Sequence, residues 1–280
     1  FAFLTVGVGL KLALFPLHLW LPNAYAYGPS VVTAFLSATA TKVAIYILLR
    51  MFFTIFGADF SFNTMRLDLV LLPLALIGIF SASMVAIFQT NVKRMLAYSS
   101  VAQIGYIILG ISMVSLTGLT AGISHLFNHA LMKATLFMAL GCVTYRVGAA
   151  TIDRMAGLGY TMPWTMAAFV IGGLSLIGVP LTAGFVSKWY LVLGALEQGW
   201  WPVALLVLMT SLLAVIYIWR VVETAYFRPA PADTVVREAP LKLLLPTWTL
   251  ALANLYFGLN TALNAGVARQ AAASLLGVAP

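Results

Sequence analysis

The chain has 280 residues, of which 62% are hydrophobic and only 8% charged, where a soluble domain carries about 25% charged residues. Long apolar runs with that deficit read as an all-α membrane protein whose backbone polar groups are satisfied inside helices, and the lack of ten-residue alternation argues against an outer-membrane barrel. The net charge of +8 forms no continuous basic patch, so nucleic acid is not an expected partner. The single cysteine, Cys142, argues against a disulfide framework or a cysteine-ligated iron–sulfur site and reads as a small buried hydrophobe.

Eight transmembrane helices are expected, two of them broken. The first covers residues 1–21 and contains Lys11, Pro16 and His18. Pro16 removes a helix hydrogen bond and breaks or kinks the span, and a turn from Pro22-Asn23 to Gly28-Pro29 closes it. The chain opens on Phe1 in mid-helix character with no charged leader, so its start reads as the edge of a fragment. The second span, residues 30–56, carries Lys42 with Thr39 and Tyr46 on one face. A polar hairpin with Asp59, Asn63, Arg66 and Asp68 leads to an apolar third span, residues 69–88. Span four follows the turn at 89–94 and bears a polar stripe, Ser99, Gln103 and Tyr106, which reads first as interhelical hydrogen bonding.

Span five, residues 119–145, holds His125, His129 and Lys133 at i, i+4, i+8, so three ionisable side chains share one helix face over roughly 12 Å. The next apolar segment, residues 164–196, would be roughly 50 Å long as one helix against a hydrocarbon core of roughly 30 Å. Gly178, Pro180 and Gly184 supply an interruption just before Lys188, and unwound backbone at membrane depth is tolerated only in protein or beside water. Span seven covers residues 201–226, with Trp200, Trp201 and Trp219 suited to interfacial belts. The division is then a seven-span membrane domain over 1–227, a Pro-rich loop over 228–242, and a last span with a small-residue tail over 243–280. Basic residues concentrate in the loops after spans three, five and seven, which places those loops in the cytoplasm of a multi-pass protein of the bacterial plasma membrane.

Four lysines inside spans, Lys11, Lys42, Lys133 and Lys188, cost on the order of 12 kcal/mol at insertion. Snorkelling excuses one such residue more easily than four. Burial weakens a lysine's hold on its proton and histidine titrates near neutrality already, so the row reads as a proton relay. All seven acids lie in loops or near helix ends, which leaves the relay without an anionic switch. His18, beside the Pro16 break, reads equally as a satisfied helix-end histidine. His125 and His129 have the i, i+4 spacing of a metal pair, but no third ligand stands near, and neither metal nor other cofactor is expected. A redox subunit binding quinone or haem is disfavoured because the chain shows no dinucleotide fingerprint and no cysteine cluster.

Four ordered stretches then carry a family resemblance: Gly9-Leu10-Lys11 through Pro16-Leu17-His18-Leu19-Trp20-Leu21-Pro22, Asn91 through Ser100, His125 through Lys133, and Gly178-Val179-Pro180 through Ser187-Lys188. Together the sequence resembles the antiporter-like proton-translocating subunits of Mrp-type cation/proton antiporters, NADH:quinone oxidoreductase and membrane-bound hydrogenases. The resemblance implies the second half of a fourteen-helix inverted-repeat fold, with Lys11, Lys42, His125, His129 and Lys188 on a hydrated axis at mid-membrane. It also implies an upstream glutamate opposite Lys11, other membrane subunits as partners, and protons with a monovalent cation such as sodium as cargo. The Ser187-Lys188-Trp189-Tyr190 context looks most like the Mrp D-type subunit; the alternative is a proton-pumping subunit of an oxidoreductase or hydrogenase.

Overall fold

A computed structural model describes residues 1–230 and 236–279. The helices are α1 (Ala2–Leu12), α2 (Trp20–Tyr27), α3 (Ser30–Leu49), α4 (Leu67–Ile87), α5 (Val92–Ser112), α6 (Leu116–Val147), α7 (Leu158–Thr161), α8 (Pro163–Ile177), α9 (Ala183–Glu197), α10 (Trp201–Phe227), α11 (Leu241–Leu259) and α12 (Thr261–Leu276). Among the described residues the only strand-like pairing is a bridge between Asn91 and Thr151. α6 is the hub and packs against α3, α5, α8, α9, α11 and α12. It runs 32 residues because Ser115 caps its start by accepting from the Gly118 amide, and it stops at Gly148 in the left-handed region.

Small residues set the closest crossing. A Cβ at Gly110 of α5 would fall 2.6 Å from the Gly118 carbonyl and 2.8 Å from the Gly122 amide of α6, so only glycine lets these backbones meet. α5 is consequently buried on all sides, a position the α4 helix of equal length does not share. Burying a helix all round demands that its polar side chains find partners inside, and Ser99, Gln103 and Tyr106 of α5 find theirs in the site described below.

Among the described residues, five helices are long and apolar enough to cross a membrane: Ser30–Ile55, Leu67–Ile87, Val92–Ser112, Leu116–Val147 and Trp201–Phe227. A sixth arises if Ile152–Thr161 and Pro163–Ile177, bent by 117°, count as one span. The difference from eight has local causes. The first expected span is split into α1 and α2, so neither half is long enough. The sixth is split into α8 and α9. α11 is diluted by Lys242, Pro246, Thr247 and Asn254.

Four other expectations need correction. Residues 22–27 form most of α2 rather than a turn, and only Gly28-Pro29 ends it. Gly184 belongs to α9; the break itself is residues 178–182, opened by Gly178 at φ 90° and Leu181 at φ 71°. The expected polar hairpin is largely π-helical, Asp59–Thr64, continuing the widened turn Arg50–Ile55 at the end of α3. The small-residue tail is α12, whose Ala265, Ala268 and Ala272 form a stripe that permits close docking. Part of the Pro-rich loop, including Pro231 and Asp233, lies outside the described residues.

Candidate functional site: a buried line of basic groups

His125 is held at both ring nitrogens. Nε2 lies 2.8 Å from Gln103 Oε1 on α5, and Nδ1 lies 2.8 Å from Ser187 Oγ on α9. Three helices are thereby joined through one imidazole. One turn further along α6, His129 stacks on His125 with ring centroids 6.2 Å apart and planes 12° apart. His129 is fully buried, and neither of its nitrogens has a protein partner. Another turn on, the Lys133 ammonium donates to the Leu96 carbonyl at 2.8 Å and to Ser99 Oγ at 2.5 Å. The helical i, i+4, i+8 spacing has therefore put all three groups on the inward face.

Lys188 sits across the break from α8. Its ammonium donates to the Ile177 carbonyl at 2.8 Å, the Leu176 carbonyl at 3.1 Å and Ser211 Oγ at 3.1 Å. Those carbonyls belong to the last turn of α8, where helix geometry leaves them without intrahelical donors and the helix dipole is negative. The Tyr106 ring adds a cation–π contact at 4.9 Å, and the Tyr106 hydroxyl is bonded to Thr210 at 2.7 Å. Gly178 makes room beneath the lysine, since a Cβ there would fall 2.9 Å from Lys188 Cδ. Lys42 is buried in α3 and donates to the Ser37 carbonyl of its own helix. Its helix packs against α6, which carries His129 and Lys133.

The electrostatics are one-sided. Among the described residues the only ion pair is the surface contact between Arg66 and Asp68. Lys42, Lys133 and Lys188 are each buried, and each is held by carbonyl or hydroxyl oxygens rather than by a carboxylate. Neutral acceptors solvate a buried cation without fixing its charge. Such groups can lose and regain a proton, where a tight ion pair would hold them charged.

The other expected site residues are placed differently. Lys11 lies on an exposed face of α1. His18 is buried beside Phe15 and Tyr98, with Nδ1 unpartnered. Pro16 and Pro180 both fall inside helix breaks, as their chemistry requires. Tyr46 is exposed and does not share the inward face of Lys42. Gln103, Ser99 and Tyr106 were legible as a polar stripe, and each turns out to hold one basic or hydroxyl partner of the line. Ser211 and Thr210 were missed, although a Thr-Ser pair in the middle of an apolar run was the available signal. The Leu176 and Ile177 carbonyls carry no side-chain signal at all.

The family described as NADH:quinone oxidoreductase/Mrp antiporter, TM, matches residues 1–214. The NADH-quinone oxidoreductase subunit N of Desulforudis audaxviator is 41% identical over 271 residues, which is 92% of this chain and 54% of that protein. Among solved structures, the Mrp complex from Dietzia sp. superposes with a TM-score of 0.91 at 28% identity, covering 98% of this chain and 59% of that one. The membrane-bound sulfane sulfur reductase, an archaeal respiratory membrane complex, superposes with a TM-score of 0.86 at 33% identity, covering 96% of this chain and 54% of that one. The chain spans about half the length of the curated relatives it matches. With its helical membrane fold and a match over three quarters of its length, the chain belongs to the NADH:quinone oxidoreductase/Mrp antiporter transmembrane family.

Proposed function

We propose that this chain carries the central part of a proton path in a membrane subunit of a respiratory complex of the NADH-quinone oxidoreductase kind, seated in the bacterial plasma membrane. The observation that carries the reading is the buried row His125, His129 and Lys133, flanked by Lys188 and Lys42, with neutral oxygen acceptors and no carboxylate in contact among the described residues. In this reading the eight expected spans are the second half of a fourteen-helix fold, Lys11 faces the upstream half, and other membrane subunits are the partners.

The geometry supports a specific hand-over at His125. Gln103 presents its carbonyl oxygen to Nε2, so that nitrogen keeps a hydrogen, and the neutral ring accepts at Nδ1 from the Ser187 hydroxyl. For His125 to take a proton at Nδ1, the Ser187 hydroxyl proton moves to Nδ1 while Oγ takes a proton from a water on its other side; the ring then donates to Oγ and the hydroxyl turns to the Gly184 carbonyl, 3.3 Å away. On the other side, His129 has no protein partner at either ring nitrogen, so a relay through it calls for water as the bridge. Moving one charge through 100 mV involves roughly 2.3 kcal/mol, so coupling by charge alone is sufficient in magnitude.

Lys188→Ala and His129→Ala in the full-length protein within its complex test the reading. Proton translocation into reconstituted vesicles should be lost while subunit assembly persists. Wild-type translocation in both variants would sink it. The Mrp D-type reading is favoured by the superposition on the Mrp complex, while the subunit N names of the curated relatives favour the oxidoreductase. Sodium-driven proton exchange without an electron donor would select the D-type.

A further inference from the structure

The break before Lys188 is held from outside by the corner where α11 meets α12, and two separate contacts do it. Gly258, one residue from the end of α11, lies against Leu181 and Thr182; a Cβ there would overlap the Leu181 carbonyl oxygen and the Thr182 backbone. Asn264 of α12 donates to Asn128 Oδ1 and accepts from Ser124 Oγ at 3.3 Å. Asn128 in turn donates to the carbonyl of Ala183, the first residue of α9, at 2.7 Å. Ser124, Asn128 and Asn264 are all buried, and a fully connected amide network in a low-dielectric interior fixes geometry strongly. Asn254 adds a third tie from α11 to α6, donating to Thr135 at 3.0 Å.

The break needs such support. Leu181 holds φ 71°, a conformation a leucine rarely adopts, and strained backbone persists only where its surroundings over-determine it. α9 is one rigid helix from Ala183 onward, so the position of its first carbonyl sets the position of Lys188 one and a half turns later. α8 supplies the Leu176 and Ile177 carbonyls that Lys188 must reach. A shift of α9 against α8 therefore changes the lysine's acceptors directly. The corner lies wholly beyond residues 1–214, the stretch that the family matches.

We propose that the α11–α12 corner is a clamp on the broken helix, with Gly258, Asn264 and Asn128 as positioning residues that set where Lys188 meets the end of α8. The proposal rests on the reading of Lys188 as a proton station.

The test uses the full-length protein in its complex, reconstituted in vesicles, as Gly258→Ala, Asn264→Leu, Asn264→Gln, Gly266→Ala and Lys188→Ala. Two quantities are read: proton flux per assembled complex, and the maleimide reaction rate of Leu181→Cys on a Cys142→Ala background. Gly258→Ala and Asn264→Leu should lower flux roughly tenfold, since displacements near 1 Å of groups that transfer protons have effects of that order or larger, and both should change the labelling rate. Asn264→Gln, which keeps the amide, should recover part of the flux. Gly266→Ala, where an added Cβ meets nothing within 4 Å, should match the wild type in both readouts.

Wild-type flux in the clamp variants, with Lys188→Ala inactive, overturns the clamp and leaves the proton path standing. Reduced flux with unchanged labelling also overturns it, because the break would then not have moved. Full flux in Lys188→Ala removes the path and the clamp together. If Asn264→Leu fails to assemble, Gly258→Ala decides.

Discussion

Two helix breaks among the described residues, after α1 and after α8, treat their exposed carbonyls differently. α1 ends at Leu12 with Ala13 in the left-handed region, and Leu14 N bonds back to the Gly9 carbonyl. α8 ends at Ile177 with Gly178 in the same region, and Val179 N bonds back to Leu174. Both stops follow the same rule, a left-handed residue that returns an amide to the last turn. At the first break the donor that crosses back is neutral: the Trp20 indole, from α2, bonds the Leu10 carbonyl at 2.8 Å. At the second it is a cation, Lys188, from α9. The lysine of the first break, Lys11, sits in the last turn before the stop and points outward, so it cannot reach its own helix's terminal carbonyls. A break supplies acceptors, and the side of the break on which the lysine stands decides whether they hold it.

The largest effect expected at the second break comes from Gly184→Val. A Cβ at 184 would overlap the Ser175 carbonyl, the point where α9 crosses closest to α8, and the Gly184 amide donates to Ser175 Oγ at 3.2 Å. Backbone cannot retreat as a flexible side chain can, so the loss should stand near the top of the overpacking range, about 3 kcal/mol. Thermal denaturation of the purified protein, with assembly followed alongside, measures it. A variant that assembles at wild-type stability would mean the crossing is looser than the close approach implies.

Next in size is the contrast between Lys188→Arg and Lys11→Arg. The Lys188 ammonium fits three oxygens with Gly178 directly beneath it, and a planar guanidinium cannot reproduce that point contact. Translocation should fall roughly a hundredfold, as for a misplacement of about 1 Å. Lys11 lies on the face of α1 that the proposed function turns toward the upstream half and has no seat of carbonyls like that of Lys188, so arginine there should cost translocation less than at 188. Equal losses in the two variants would erase the distinction between the breaks.

Much of this was legible from the residues. The length of the 164–196 run, set against membrane thickness, required a break, and Gly178 and Pro180 located it. The i, i+4, i+8 spacing put His125, His129 and Lys133 on one face because helix periodicity alone decides that. What could not be read were contacts that involve no side-chain pattern: the Leu176 and Ile177 carbonyls around Lys188 and the glycine seat at 258. α12 was misread as a tail because its helical face is an alanine stripe with little hydrophobic contrast, and its purpose depends on Asn264 meeting Asn128, 136 residues away in sequence.

A smaller effect is expected from Gly178→Ala. Gly178 holds φ 90°, and its Cβ position lies 2.9 Å from Lys188 Cδ. Left-handed backbone costs a residue with a Cβ about 1–2 kcal/mol, and the lysine stem must also give way. Stability should fall by about 2 kcal/mol in a denaturation series. Translocation should fall as well, which separates this stop from the first one.

The smallest prediction isolates the neutral break. Trp20→Phe keeps an aromatic ring of similar placement but removes the indole donor from the Leu10 carbonyl. Trp20 is partly exposed, so the freed carbonyl is not sealed in the interior, and the loss should be near 1 kcal/mol, the net value of one such hydrogen bond. No charge changes and no member of the His125 to Lys133 row is touched. Stability should therefore drop slightly while proton flux per assembled complex stays at the wild-type value. If flux instead falls along with stability, the first break bears on the path as the second does, and the neutral donor at Leu10 is part of the conducting geometry rather than a structural tie.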